Sequence, residues 1–243
     1  MTQVNVKEAL QAARAKGQPA TLSVADLPTG VPEAYAQSIG QMQKVAAWKI
    51  GGANPWSRAV FDNTEVFFGP LHPSEVFLDT ATVSLKGLVA PLAEPEVMLE
   101  LGDWTAADPA ARFTRIGLGF EIPASVLPDA LKPELTGQIV DRAGAGALWI
   151  SAVKEVTAEA LNAAVSVRLL QNDQPPVEGH SDNVIGGVLG AVTEFLDLAQ
   201  QYDMPLARGQ WVATGGLCPA VSVAPGDQLV LQAGAERLHL GFE

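Results

Sequence analysis

Residues 93–123 read AEPEVMLELGDWTAADPAARFTRIGLGFEIP, and two runs within them alternate with the period of a β-strand. In the first, Glu94, Glu96, Met98 and Glu100 fall on one face and Val97, Leu99 and Leu101 on the other, because side chains two apart share a side of a strand. In the second, Ile116, Leu118, Phe120 and Ile122 form an apolar face opposite Arg115, Gly117, Gly119 and Glu121. Pro95 predicts an edge strand or a bulge, since proline cannot donate to a ladder. Carboxylates as close as Glu94 and Glu96 repel, which raises at least one pKa unless a cation lies between them. Glycines near a strand end leave room for a ligand, and Glu121 would there be a third oxygen donor. Three carboxylates with water suit Mg2+ or Mn2+, hard cations that favour oxygen. The same pattern also fits a solvated acidic edge, with Glu121 ending its strand in water.

The texture on both sides of this stretch is similar. Short apolar runs punctuated by Gly and Pro (VAAWKIGG, EVFFGP, GALWISAV, AVSVRLL, QWVATGG, DQLVLQAG) predict further strands, the last of them opening a closing hairpin. Helical spacing is confined to three places: residues 5–16, ending before Gly17; a segment after Pro32 through Ala34, Tyr35, Ile39 and Met42; and Val184 to Gln201. Strands and helices do not alternate regularly, so a doubly wound sheet is excluded in favour of an α+β protein on a rolled or sandwiched β core. The expected organisation is one domain over residues 1–243, with residues 1–44 mainly helical and packed on the β core.

Composition narrows the function classes. The chain has 243 residues, enough for one substantial core, with 48% apolar and 17% charged residues. A net charge of -12 argues against nucleic acid and against an anionic membrane surface, both of which call for basic patches. There is one cysteine, Cys218, so no internal disulfide forms. No apolar run reaches the length of a membrane span, and the first residues lack the apolar core of a signal peptide. The expected compartment is the cytoplasm.

Other residues are candidates for chemistry. Lys49, in WKIGG, sits among apolar neighbours. A partly buried lysine there has a depressed pKa and serves as a general acid or base, whereas a snorkelling lysine does not. In TGG, Thr214 and Gly215 follow a strand, where backbone amides can approach a substrate carboxylate or simply form a turn. His180 lies in a loop, His239 in the last strand, and Cys218 has no basic neighbour to activate it.

The order WKIGG, FGPL, EPE, FEI, VDRAG, TGG and PGD, along nearly the whole chain, resembles the 2-keto-4-pentenoate hydratase and 4-oxalocrotonate decarboxylase branch of the fumarylacetoacetate-hydrolase superfamily. The resemblance implies a mixed β roll with peripheral helices, assembled as a homo-oligomer. It also implies that Glu94, Glu96 and Glu121 hold Mg2+ or Mn2+. Lys49 and Gly51 match the KIG motif that faces the substrate, Asp141 a catalytic aspartate, and Thr214 with Gly215 the substrate-binding TGS segment. The implied activity is that of a metal-dependent lyase on a small 2-keto acid, with hydration of 2-hydroxypenta-2,4-dienoate as the leading reading. Decarboxylation, acylpyruvate hydrolysis, or a silent binding relative are the alternatives. The chain departs from the pattern after FGPL, where acidic residues usually follow: here the segment is His72-Pro73-Ser74-Glu75, so the residue aiding water addition is absent, moved to Glu75, or replaced by His72. Gly216 also stands where the family has serine.

Overall fold

The computed structural model describes residues 4–61 and 63–243. Thirteen strands form among them. In chain order they are β1 (Ala47–Gly51), β2 (Phe67–Leu71), β3 (Val76–Leu78), β4 (Thr82–Val83), β5 (Leu92–Leu101) and β6 (Phe113–Pro123). These are followed by β7 (Ala145–Glu155), β8 (Ser166–Gln171), β9 (Val177–His180), β10 (Trp211–Gly216), β11 (Val221–Ser222), β12 (Gln228–Ala233) and β13 (Glu236–Phe242). The α-helices are α1 (Val6–Lys16), α2 (Val31–Ile39), α3 (Pro55–Phe61), α4 (Leu135–Val140), α5 (Ala158–Asn162) and α6 (Gly187–Gln201).

A mixed sheet runs in the order β2-β1-β10-β5-β6-β7-β3, with β11 also on β5; a second runs β4-β13-β12-β8-β9. Neighbouring strands are about 4.8 Å apart, so β2 and β7, five steps distant, would lie about 24 Å apart in a flat sheet. They instead approach within 8 Å between Cα atoms. The sheet is therefore rolled, and its inner face is narrow. Leu71, Met98, Leu148, Ile150, Trp211 and Ala213, drawn from strands on both sides of the roll, pack together there as a small apolar plug. The outer face carries the main core: Trp48, Ile50, Val97, Leu99, Phe120 and Val212 pack with Val192, Phe195 and Leu196 of α6. Phe195 meets Trp48 and Phe68 at ring-centroid distances of 5.8 and 5.1 Å.

The alternation in β5 and β6 is as read, but Pro95 is not on an edge. It lies in a central strand between β10 and β6. The irregularity it demands falls beside it in β10, where the register shifts between Ala213 and Gly216. The solvated acidic edge is likewise overturned, since Glu96 and Glu121 are each 1% exposed. Helix α1 has the expected span, capped by Asn5 and closed by Gly17 in the left-handed conformation. Two helices are shorter than their apolar spacing predicts. α2 ends at Ile39, short of Met42, and α6 starts at Gly187 because the left-handed Gly186 and Gly187 cannot extend it toward Val184. The closing hairpin forms from β12 and β13.

Candidate metal centre

Three strands of the roll bring the acidic residues together. Glu94 in β5 stands directly opposite Glu121 in β6, and Glu96, two residues on and on the same face, stands opposite Gly119. A Cβ at Gly119 would lie 1.9 Å from the Trp149 carbonyl oxygen, so a side chain there would force the strand backbones to shift. β10 supplies the third wall: the Gly215 amide donates to Glu96 Oε2 at 2.7 Å. Glu94 Oε2 occupies space left by Gly216, 2.7 Å from where a Cβ would be. One carboxylate oxygen from each of Glu94, Glu96 and Glu121 lies within 4.8 Å of the others.

Lys49 in β1 lies 3.2 Å from Glu121 Oε2, close enough for an ion pair. Beyond this contact, neither buried oxygen of Glu121 has a hydrogen-bond partner. Burial pushes the Glu121 carboxyl up to about 8, with Lys49 opposing the shift and the nearby Glu94 adding to it. Burial raises Glu94 as well, and burial with the repulsion of Glu121 and Glu94 holds Glu96 well above the ordinary range. Lys49 goes the other way from the sequence expectation. Burial alone would depress it, but Glu121, Glu94 and Glu96 outweigh that and keep its ammonium above the usual value. Glu100, on the same face, is a different case: Arg115 and Thr114 bind its carboxylate and lower its pKa. The cluster of three, with one ammonium and two orphaned oxygens, fits a hard divalent cation.

A cavity of about 350 Å3 opens beside Lys49 and Glu94, and Gly51, Gly52, Asn54 and Phe67 line it. A Cβ on Gly51 would lie 2.5 Å from the Phe67 ring, so glycine lets that ring close over the strand.

The structure does not bring every predicted residue here. Thr214 is fully buried and its hydroxyl donates to the Val97 carbonyl at 2.9 Å, away from the cavity lining. Asp141, expected as catalytic, is 0% exposed and saturated: Arg14 at 2.6 Å, Ser125 Oγ at 2.7 Å and the Val126 amide at 3.0 Å all donate to it. Glu75 forms a two-pronged ion pair with Arg142 at 2.8 and 3.0 Å and accepts from the His72 amide. His72 turns to Ser74 at 2.9 Å. The short turn Pro73–Glu75 directs both residues into this local capping, so neither lines the cavity. His180 caps its own turn through the Asp182 amide, and His239 is exposed. Cys218 is buried, which pushes its thiol up to about 11. Sequence reading missed Trp56 and Gln138, which left no signal there, and saw Gly216 only as a departure from the family pattern.

No family model matches the chain. Over 194 residues it is 28% identical to 2-hydroxyhexa-2,4-dienoate hydratase of Comamonas testosteroni, covering 76% of this chain and 73% of that protein. It superposes on 4-oxalocrotonate decarboxylase from Pseudomonas putida G7, solved with magnesium and adipate, with a TM-score of 0.84 at 19% identity, covering 98% of this chain and 96% of that one. Against fumarylpyruvate hydrolase from Pseudomonas aeruginosa, in complex with Mn2+ and pyruvate, the TM-score is 0.62 at 13% identity, covering 81% of this chain and 88% of that one. The chain has the fold of the fumarylacetoacetate-hydrolase superfamily. Within it, the similarity in sequence and in structure is to the hydratase and decarboxylase branch.

Proposed function

We infer that the chain is a divalent-metal-dependent lyase acting on a small 2-keto acid or its dienol, with hydration of a 2-hydroxy-2,4-dienoate as the leading reaction. The observation that carries this is the buried trio Glu94, Glu96 and Glu121, three carboxyl groups with oxygens within 4.8 Å of one another and a single ammonium, Lys49, beside them, a set that fits a hard divalent cation. Mg2+ or Mn2+ held there supplies Lewis acidity to the chelating oxygens of a 2-keto acid. The protein's own groups do the rest. The Gly215 amide fixes Glu96, and strand pairing fixes Glu94 against Glu121. Lys49, held as an ammonium, is positioned to hold or deliver a proton at the site. Gly51 and the Phe67 ring beside it shape one wall of the cavity next to Lys49 and Glu94. Decarboxylation or acylpyruvate hydrolysis would use the same head-group site. Residues Asp141, Glu75, His72 and Thr214, with their side-chain groups committed elsewhere, serve to position the scaffold. The expected working form is a cytoplasmic homo-oligomer, which light scattering would test for assembly.

The test is calorimetric titration of oxalate, a planar mimic of a chelating 2-keto acid, with and without Mg2+. Binding only in the presence of metal supports the reading. No binding in either condition overturns it. Product analysis then separates hydration, which releases nothing, from CO2 release or the formation of two acids.

A further inference from the structure

Lys49 in β1 stands directly opposite Gly69 in β2, and opposite residues of paired strands project to the same side. The turn after α4 fills the place of a side chain at Gly69. A Cβ there would lie 1.9 Å from the Arg142 carbonyl oxygen and 2.7 Å from the Ala143 amide nitrogen. The turn, Arg142 to Gly144, is three left-handed residues in succession, at φ 57, 54 and 69°. It is thereby set beside Lys49, and Ala143 with Gln138 of α4 lines the same cavity as Lys49 and Glu94.

Gln138 is 8% exposed, and its amide is only partly used. Nε2 donates one hydrogen to the Lys132 carbonyl at 2.7 Å; the second has no partner among the described residues. Oε1 accepts no hydrogen bond from them either, yet it is not sealed off as the Glu121 oxygens are. Asn54, the other buried neutral polar side chain of the lining, has spent both its hydrogens on the Asn183 and Gly216 carbonyls at 2.9 and 2.8 Å. Glu75 and His72, which the family resemblance offers for water addition, are committed outside the cavity. An amide with an open N–H and an open C=O suits a group that both accepts and donates, which water and a hydroxyl do and an ionised carboxylate does not. Such a partner also relieves the cost of a buried amide left half satisfied.

We propose that Gln138 positions the water that adds to C4 of the conjugated 2-keto acid and holds the 4-hydroxyl that results. Addition joins the water oxygen to C4 and leaves its two hydrogens on that hydroxyl and at C3, so atoms balance without a further reactant. The neutral amide orients and transfers no proton. The proposal rests on Glu94, Glu96 and Glu121 being the chelate site, and it deepens the hydration reading by naming the residue that recognises the incoming oxygen.

The test is calorimetry on the Mg2+-loaded protein with oxalate, 2-oxopentanoate and each enantiomer of 4-hydroxy-2-oxopentanoate. The last two ligands differ only at C4. In the parent, one enantiomer should bind about tenfold tighter than 2-oxopentanoate. In Gln138→Met, of similar length but apolar, that ratio should fall to about one while oxalate keeps its affinity; Gln138→Leu serves if methionine does not fold. A change that only loosened the wall would weaken all the keto acids together and leave the ratio standing. Equal binding of the hydroxylated and plain ligands by the parent, with oxalate still bound, overturns the role of Gln138 and spares the chelate site. A tenfold preference that survives in a folded, oxalate-binding variant overturns it too. Absence of oxalate binding in the parent removes the chelate site, and the assignment of Gln138 goes with it.

Discussion

Glu121 keeps both carboxylate oxygens buried, and that burial pushes its carboxyl up to about 8. Because the folded group holds its proton above the ordinary carboxylate range, the metal-free folded state is the more protonated one between that range and about pH 8. Metal-free stability should therefore decline as pH rises through this window. A bound cation needs the carboxylates ionised, so Mg2+ binding at pH 7 should expel protons. Titrations in buffers of differing ionisation enthalpy would count them, and zero release would contradict the cluster's role. Glu96→Gln should weaken Mg2+ by about tenfold or more. It should leave the metal-free melting temperature equal or higher, because one buried like charge is gone while the Gly215 amide keeps an acceptor. Asp141→Ala tests the opposite assignment. Removing the partner of Arg14 should cost about 3 kcal/mol in a denaturant titration. The folded fraction should bind Mg2+ as tightly as the parent, and a specific loss of metal affinity would return Asp141 to the site.

At the scale of elements, the Trp149 carbonyl of β7 fills the space that a side chain at Gly119 of β6 would need. Gly119→Ala should destabilise the fold by about 1–3 kcal/mol through overpacking and should weaken metal binding by shifting Glu121 relative to Glu96; a neutral melt would show that the strands can part cheaply. The alternation in β5 and β6 was legible because period two is a local property, and it put Glu94, Glu96 and Glu121 on the right faces before any pairing was known. The pairing itself was not legible. Pro95 signals an edge by its chemistry, yet the cost is absorbed by the register shift in β10, more than a hundred residues away. Lys49 looked like a residue with a lowered pKa because its immediate neighbours are apolar; the carboxylates that reverse the shift lie on strands that only the roll brings near it. His72 and Glu75 became candidates only through the family resemblance, which places acidic residues after FGPL, but the His72 ring caps a proline-led turn and Glu75 pairs with Arg142. α3 was missed because the segment is short and its apolar residues face a cavity rather than a core.

For the whole molecule, the cluster links ligand binding to global stability. Mg2+ at a hundred times its dissociation constant should add about 2.7 kcal/mol, which for a chain of this size is a melting shift of about 5–11 °C. Thermal melts in Mg2+ and in chelator measure it, and coincident melts would remove the metal from the account. The hydrogen bond from Gly215 to Glu96 joins residues 119 positions apart. A ribosome adding about 5–20 residues each second needs about 6–24 s to deliver that amide after the glutamate has been made. A nascent chain thus carries its acidic trio long before it can grip a cation, and loading with metal belongs to the last stage of synthesis or to the period after release.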